Sequence, residues 1–389
     1  MKLFSDDERT DRGPARFSES DFQFLDRVAG PHWDRVRSLL EEWFSDHPEA
    51  AKNELHKRFT DKNNGQHAGA WWELYIASLF RHLGYELAPH PTIEGSERKP
   101  DFLVTRESSA FYVECTVTAA GGTPGTLAWI YDCISDVETR DFLVGIEDVK
   151  RGKQRPKRSD VTRPIAQWLA ELDRDELIAA PEKRLPRKVI PIRDWSITCV
   201  AIPNRPDAGY QGGRLIAHLP TVSINYEKEI SRIYEALSKK GRHYGREPLS
   251  LPLVVAVLEN TRLVEADDIA QALFGREEWQ LTPGDPDSIR KVRKRNGYWR
   301  GDWSSNEVQR GTRVSAALIG SGLRYQRIAL DLPELWNNPW AAVPLGQHDG
   351  FATVSVETGE VVRTEGKLQA ANVFGLDPDW PYFPVNRFG

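Results

Sequence analysis

An α/β fold is what this sequence predicts, and three observations predict it. Stretches with helical apolar spacing alternate along the chain with short strand-like runs. One run, LPLVVAVLEN (251–260), is continuously apolar up to Leu258, as expected of a strand buried on both faces. The bulk composition is that of an ordinary globular protein, with 40% hydrophobic and 28% charged residues in 389. A chain of this length buries a sizeable core and has room for a large insertion.

Residues 1–17 are polar and aperiodic and read as a flexible arm. A helical N-terminal region follows over 18–62, where Phe24, Leu25, Val28, Trp33, Val36, Leu39, Leu40, Trp43 and Phe44 recur at helical spacing. The polar stretch TDKNNGQ separates it from an amphipathic helix over about 66–83, stopped by Gly84. Three strand-like runs come next, YELAPHP, DFLVT and AFYVECTVT, the last two joined by RESS as a hairpin.

A helix is expected over 126–139, a basic loop over 150–158, and a helix ending near Leu172. Strands are expected at 195–203 and 213–220, a long helix from about Asn225 to His243, and the buried strand at 251–260. These divide the chain into a core over 63–262, with an insertion around 141–224, and a C-terminal α+β extension over 263–389. That extension carries a helix around 266–274, a strand VSAALIG and a Pro- and Trp-rich tail.

Three widely spaced cysteines, Cys115, Cys133 and Cys199, sit in apolar contexts and read as buried free thiols. No CxxC or HxxxH pairing suggests zinc. No leader-like h-region and no run of membrane-spanning length stands out, so a cytoplasmic location is expected. The net charge of −5 gives no global attraction to nucleic acid.

Chemistry begins at PDFLVTRESSAFYVECTVTA (100–119). Alternation along a strand points Glu114 and Thr116 to one face and Val113, Cys115 and Val117 to the other. A hairpin brings Asp101 close to Glu114. Two carboxylates held together repel unless a cation lies between them, and a hard divalent cation suits their oxygens. Glu73 lies in the apolar helix AWWELYIA, where a charge needs a partner.

Helix, strand, Pro100-Asp101, then Glu114-Cys115-Thr116 resembles the PD-(D/E)xK, restriction-endonuclease-like superfamily over residues 63–120 and, more loosely, to about 260. The resemblance implies a mixed central sheet flanked by helices, with an α-β-β-β-α-β core. It implies a nuclease hydrolysing phosphodiester bonds in DNA with Mg²⁺ (or Mn²⁺), in bacterial antiviral defence or DNA processing. Asp101 matches the acid of the first motif, Glu114 the second acid, and Glu73 the helical glutamate. All three are then expected around the metal.

Thr116 stands where the superfamily has a catalytic lysine. Lys240, one turn before Tyr244 (K-x-x-x-Y), is the expected replacement, and Lys239 and Lys99 are alternatives. If nothing replaces the lysine, the fold would bind nucleic acid or a protein partner without cutting. A further alternative is a protein-interaction module centred on ELWNNPWAAVPL (334–345), which requires an exposed aromatic patch.

Two basic runs suggest phosphate-backbone contacts: Lys150, Arg151, Lys153, Arg155, Lys157 and Arg158, and then Arg290, Lys291, Arg293, Lys294, Arg295 and Arg300. In the second, Tyr298 and Trp299 are placed to stack on a base or to pack. His67, six residues before Glu73, reads as a cap or a phosphate contact. The GGTPG loop at 121–125 lacks the Lys-Ser/Thr ending of a P-loop. Two-strand cleavage would suit a homo-oligomer. An energy-driven step would need a defence-system partner protein, because no ATPase motif is visible.

Overall fold

The computed structural model describes residues 1–118, 125–137, 139–179, 184–204, 216–218, 226–244, 249–260, 265–282, 284–300, 309–346, 350–357 and 359–382. The chain forms two compact units. The first holds Met1–Gly13, Asp21–Ala120 and Asn225–Gly389, and the second holds Pro14–Ser20 and Gly121–Ile224. The class is α/β, with a large mixed sheet flanked by helices.

The first unit opens with α1 (Asp21–Arg27), α2 (Pro31–Ser45), α3 (Glu49–Phe59) and α4 (Asn64–His82), then β1 (Glu86–Pro89), β2 (Phe102–Arg106) and β3 (Ser109–Val117). The second unit contains α5 (Gly125–Ser135), β4 (Phe142–Lys150), α6 (Arg158–Ala170), α7 (Arg174–Ala179), β5 (Arg187–Ile192), β6 (Trp195–Pro203) and β7 (Ile216–His218). The first unit resumes with α8 (Tyr226–Gly241), β8 (Leu253–Glu259), α9 (Ala266–Phe274), β9 (Glu277–Thr282), β10 (Asp285–Arg293), β11 (Ala316–Ser321), β12 (Glu334–Asn337), β13 (Thr353–Glu357), β14 (Glu360–Thr364) and α10 (Ala370–Phe374).

Eight strands of the first unit form one sheet in the order β1-β2-β3-β8-β11-β12-β13-β14. β1, β2 and β3 are antiparallel neighbours, whereas β8 runs parallel to both β3 and β11. Every residue of β8 is buried, which explains the apolar run from Leu253 to Leu258 that precedes the buried Glu259 at its end. The expected C-terminal extension is therefore not a separate layer. β11 to β14 continue the core sheet, and among the described strands of this part the hairpin of β9 and β10 stands apart from it. Short strands interrupted by Pro and Asn hid this continuity in the sequence.

Alternation along β3 divides two cores. Phe111, Val113 and Cys115 pack with α4 and the N-terminal helices, and Tyr112 packs with Ile233 and Leu237 of α8 and with α9. Helix α4 is capped by Asn63, whose side-chain oxygen accepts from the N–H groups of Gly65 and Gln66. It is fixed to the sheet by Trp72, whose indole N–H donates to the Ala256 carbonyl at 3.0 Å. The same ring lies on β11 at Gly320, where a Cβ would come within 2.8 Å of it. A larger residue there would force the Trp72 ring or the backbone beside it to shift.

The N-terminal residues differ from the expected flexible arm. Leu3 and Phe4 are buried, the Phe4 N–H donates to Glu41, and Arg9 pairs with Asp26. Two apolar residues and local ion pairs were enough to seat a segment without periodicity. The expected helix at 126–139 forms over Gly125–Ser135, while the strand expected at 213–220 is described only over Ile216–His218. The loop at 121–124 and the helix start at residue 225 lie outside the described residues.

Candidate active site

The β2–β3 register pairs Phe102 with Val113, so continuing it by one residue sets Asp101 opposite Glu114. Asp101 Oδ2 accepts the backbone N–H of Cys115 at 2.6 Å. Its own carbonyl accepts the N–H of His90. Glu114 lies on the α8 face of the sheet and is 4% exposed. A carboxylate so buried needs donors, and it has two from the end of α8. Lys240 Nζ lies 2.5 Å from Oε1, and the Tyr244 hydroxyl donates to Oε2.

The ends of this constellation are more than 120 residues apart in sequence. What joins them is α8, which packs on β3 and β8 and delivers its last turn to the centre of β3. The turn continues past the helix, with the His243 N–H donating to the Lys240 carbonyl, so Lys240 and Tyr244 present their side chains together. His243 Nδ1 is 4.0 Å from Glu114 Oε1.

The electrostatics of the pair are unbalanced. Burial, then the nearby charges of Glu114 and Glu73, push Asp101 up to about 8, against the opposing pull of Lys240 and the Cys115 N–H. Asp101 retains some contact with solvent, yet it lies deep enough for burial to dominate. Burial pulls Lys240 down, but Glu114 and Asp101 outweigh it and hold the ammonium above its usual value. Burial and Glu114 push the Tyr244 phenol up, so it is a hydrogen-bond donor throughout the physiological range. Burial and the neighbouring cations Lys240 and Arg98 lower His243.

Glu73 stands elsewhere. It projects from α4, on the opposite face of the sheet from Glu114, and its Oε2 takes Arg58 of α3 at 2.5 Å. Burial raises its acid while Arg58 opposes that shift. Its field still reaches Asp101, but its carboxylate is engaged by a guanidinium. Among the described residues, no group of three His, Cys, Asp or Glu side chains is arranged to hold a metal ion. The expected three-carboxylate cage is thus not what the geometry offers.

The donor chemistry does fit a two-carboxylate site. Mg²⁺ keeps most of its water and takes only one or two protein carboxylates plus substrate oxygens. Asp101 and Glu114 are hard oxygen donors, and the raised proton affinity of Asp101 marks a position where a divalent cation would displace a proton. Thr116 is half-buried next to Glu114 on the same face and carries no charge. Lys240 is the cation that meets Glu114, and no ion pair joins Lys239 or Lys99 to it among the described residues.

The two basic runs separate. Lys150, Arg151, Lys153, Arg155, Lys157 and Arg158 are all exposed in the second unit. In the other run, Lys291 and Arg293 pair with Glu277, and Lys294 pairs with Glu278. Tyr298 and Trp299 are 9% and 1% exposed and pack in the core, so neither can stack on a base. The expected aromatic patch at 334–345 is also not exposed, because Trp336 is buried on β12 and Trp340 is packed against the same core.

His67 is likewise no surface contact. It is buried, its ring nitrogens bonded to the Phe59 carbonyl and the Tyr325 hydroxyl, and burial lowers it to about 4. Arg58 is the site neighbour that sequence reasoning missed, since nothing local links α3 to Glu73. The three cysteines are buried and unbridged, and burial, then the nearby carboxylates, push the Cys115 thiol up. Among the described residues, no helix is long and apolar enough to cross a membrane. No family model, curated protein or solved structure matches this chain.

Proposed function

We propose that this chain is a metal-dependent nuclease that hydrolyses phosphodiester bonds in DNA, in the setting of bacterial defence or DNA processing. The observation that carries the reading is the convergence of Lys240 and Tyr244 on Glu114, beside Asp101. A lysine absent from the strand position at Thr116 has its charge supplied from α8 instead. Support also comes from the order α4, β1, β2, β3, α8, β8 in the first unit, with the second unit inserted between β3 and α8, which follows the α-β-β-β-α-β succession of a restriction-endonuclease-like core.

Asp101 and Glu114 would hold Mg²⁺ or Mn²⁺, which when bound polarises a phosphate oxygen and lowers the pKa of water. The chain's own groups do the rest. Lys240, charged and with its side chain 18% exposed, has the reach to turn from Glu114 to a phosphate oxygen and stabilise developing negative charge. Tyr244 stays protonated and fixes the Glu114 carboxylate. The Cys115 N–H fixes that of Asp101. Glu73 supports the site from the other face through its charge, with Arg58 as its counter-ion.

The test is cleavage of plasmid and single-stranded DNA with added Mg²⁺ or Mn²⁺. Wild type should cut, Asp101→Ala should not, and Lys240→Ala should cut far more slowly. A well-folded wild type that cuts no nucleic acid with either ion would remove the proposal.

One observation favours a second reading, a nuclease fold that binds without cutting. Both oxygens of Glu114 are already engaged by Lys240 and Tyr244, which is also how a buried acid is neutralised in a structural role. Under that reading DNA binds with strong salt dependence, no divalent cation alters the product, and Asp101→Ala changes nothing.

A further inference from the structure

The second unit carries a segment whose charge the proposed chemistry does not use. Residues 150–158 (KRGKQRPKR) contain six cations and no acid. Among the described residues, Lys150, Arg151, Lys153 and Lys157 take part in no ion pair, and only Arg158 is paired, to Asp136 at 2.8 Å. Several carboxylates nearby are already committed. Asp160 accepts from the Lys157 N–H and Arg193, and Glu147 binds Arg187.

This loop is built rather than merely charged. Asp194, in the turn between β5 and β6, accepts the N–H groups of Lys153 and Gln154 at 2.5 and 3.2 Å. The indole N–H of Trp195 donates to the Gln154 carbonyl at 2.7 Å. At Gly152 the backbone comes so near Asp194 and Trp195 that a Cβ would lie 2.5 Å from them. On the other side, Arg155 lies over the Trp129 ring of α5 at 4.2 Å. The backbone is thus spent on internal bonds while the charged ends face water.

We propose that the second unit grips the sugar–phosphate backbone of nucleic acid through this loop, independently of base sequence. It deepens the nuclease reading, on which the choice of nucleic acid as the polyanion rests. Unpaired cations on a pre-shaped loop bind repeated phosphates with little ordering cost, and the counterions they release make the affinity salt-dependent. The planar guanidinium held on Trp129 presents its edge for a two-point phosphate contact. The run at 290–300 lacks this property, because Glu277 and Glu278 already occupy it.

The test uses the full chain, fluorescein-labelled 30-mer DNA (duplex and single-stranded), EDTA, and anisotropy from 50 to 300 mM NaCl. Lys150→Ala/Arg151→Ala/Lys153→Ala should weaken binding at least tenfold at 100 mM NaCl. It should also lower the log–log salt slope on duplex by roughly 2–3. Lys291→Ala/Lys294→Ala should stay within twofold of wild type.

A Lys150→Arg/Lys153→Arg variant, which keeps charge, should bind like wild type. Loss of binding there as well would mean a damaged fold and overturn the assignment. So would an unchanged slope in the alanine variant, or equal affinity for anionic-lipid vesicles or polyglutamate. The two readings fail separately. Wild type that binds with this slope but never cuts loses the nuclease and keeps the grip. An alanine variant that binds normally while Asp101→Asn abolishes cutting loses only the grip.

Discussion

Glu73 and Glu114 are both buried glutamates of the first unit, each held by a basic side chain at 2.5 Å, yet their surroundings are opposite in charge. Around Glu114 the acids are in surplus. Asp101 is pushed up to about 8 by burial and by the carboxylates beside it. On the Glu73 side the cations are in surplus. His47 is driven down to about 3, by burial first and then by the fields of Arg81, Lys52, Arg58 and His90. A pocket short of positive charge is where a divalent cation lowers the energy. A carboxylate already closed by a guanidinium is a structural strut. Under the proposed function the same residue type does two jobs, and the balance of neighbours separates them.

The widest separation should come from neutral isosteres. Glu114→Gln should reduce metal-dependent cleavage by about 10³-fold or more, whereas Glu73→Gln should leave the single-turnover rate within about tenfold. Equal collapse of both, in proteins of equal melting temperature, would make Glu73 part of the metal site after all. Lys240→Ala should cost about 10²–10³-fold, and Lys240→Arg should recover part of it. Single-turnover rates with saturating enzyme read this without interference from binding.

Stability should show the reverse order. Arg58→Ala strands the Glu73 carboxylate and should destabilise by about 3 kcal/mol, discounted from a fully buried pair because Arg58 is partly exposed. Chemical denaturation measures this directly. A loss below about 1 kcal/mol would reassign the pair to the solvated class.

The pH responses should have opposite signs. Asp101 has a folded value of about 8, above its ordinary 3.8, so the fold binds more protons than the unfolded chain between them. The metal-free protein therefore loses the Asp101 contribution as pH rises from about 4 to 8, and Asp101→Asn flattens that limb. His47, at about 3 against an ordinary 6.5, works the other way, and stability falls as pH drops through that window. His47→Phe should blunt the acid limb. Melting temperatures from pH 4 to 9 for the three proteins settle both signs.

The candidate site was largely legible because its logic is local. Two-residue alternation aims Glu114 and Thr116 to one face, a hairpin carries Asp101 to Glu114, and a four-residue step places Tyr244 beside Lys240. Neutralisation was not legible. The runs at 150–158 and 290–300 look alike in sequence, six cations without an acid, and only the hairpin of β9 and β10 brings Glu277 and Glu278 against the second. Tyr298 and Trp299 read from sequence either as a stacking pair or as packed rings, and the second holds. Their N–H groups bond to the Ala272 and Leu273 carbonyls of α9, which draws the segment against the core and buries both rings.

By itself, the sequence determined the α/β class, the main helices, and the strand pair bearing Asp101 and Glu114. These depend on backbone periodicity and on the cost of an unpaired charge, both readable over a few residues. Only the tertiary structure decided that Lys240 meets Glu114, that Arg58 rather than a shared acidic cluster holds Glu73, and that β11 to β14 extend the core sheet. Those depend on which distant groups come within a few ångströms, and Coulomb energy and hydrogen bonding act at that distance whatever the separation along the chain.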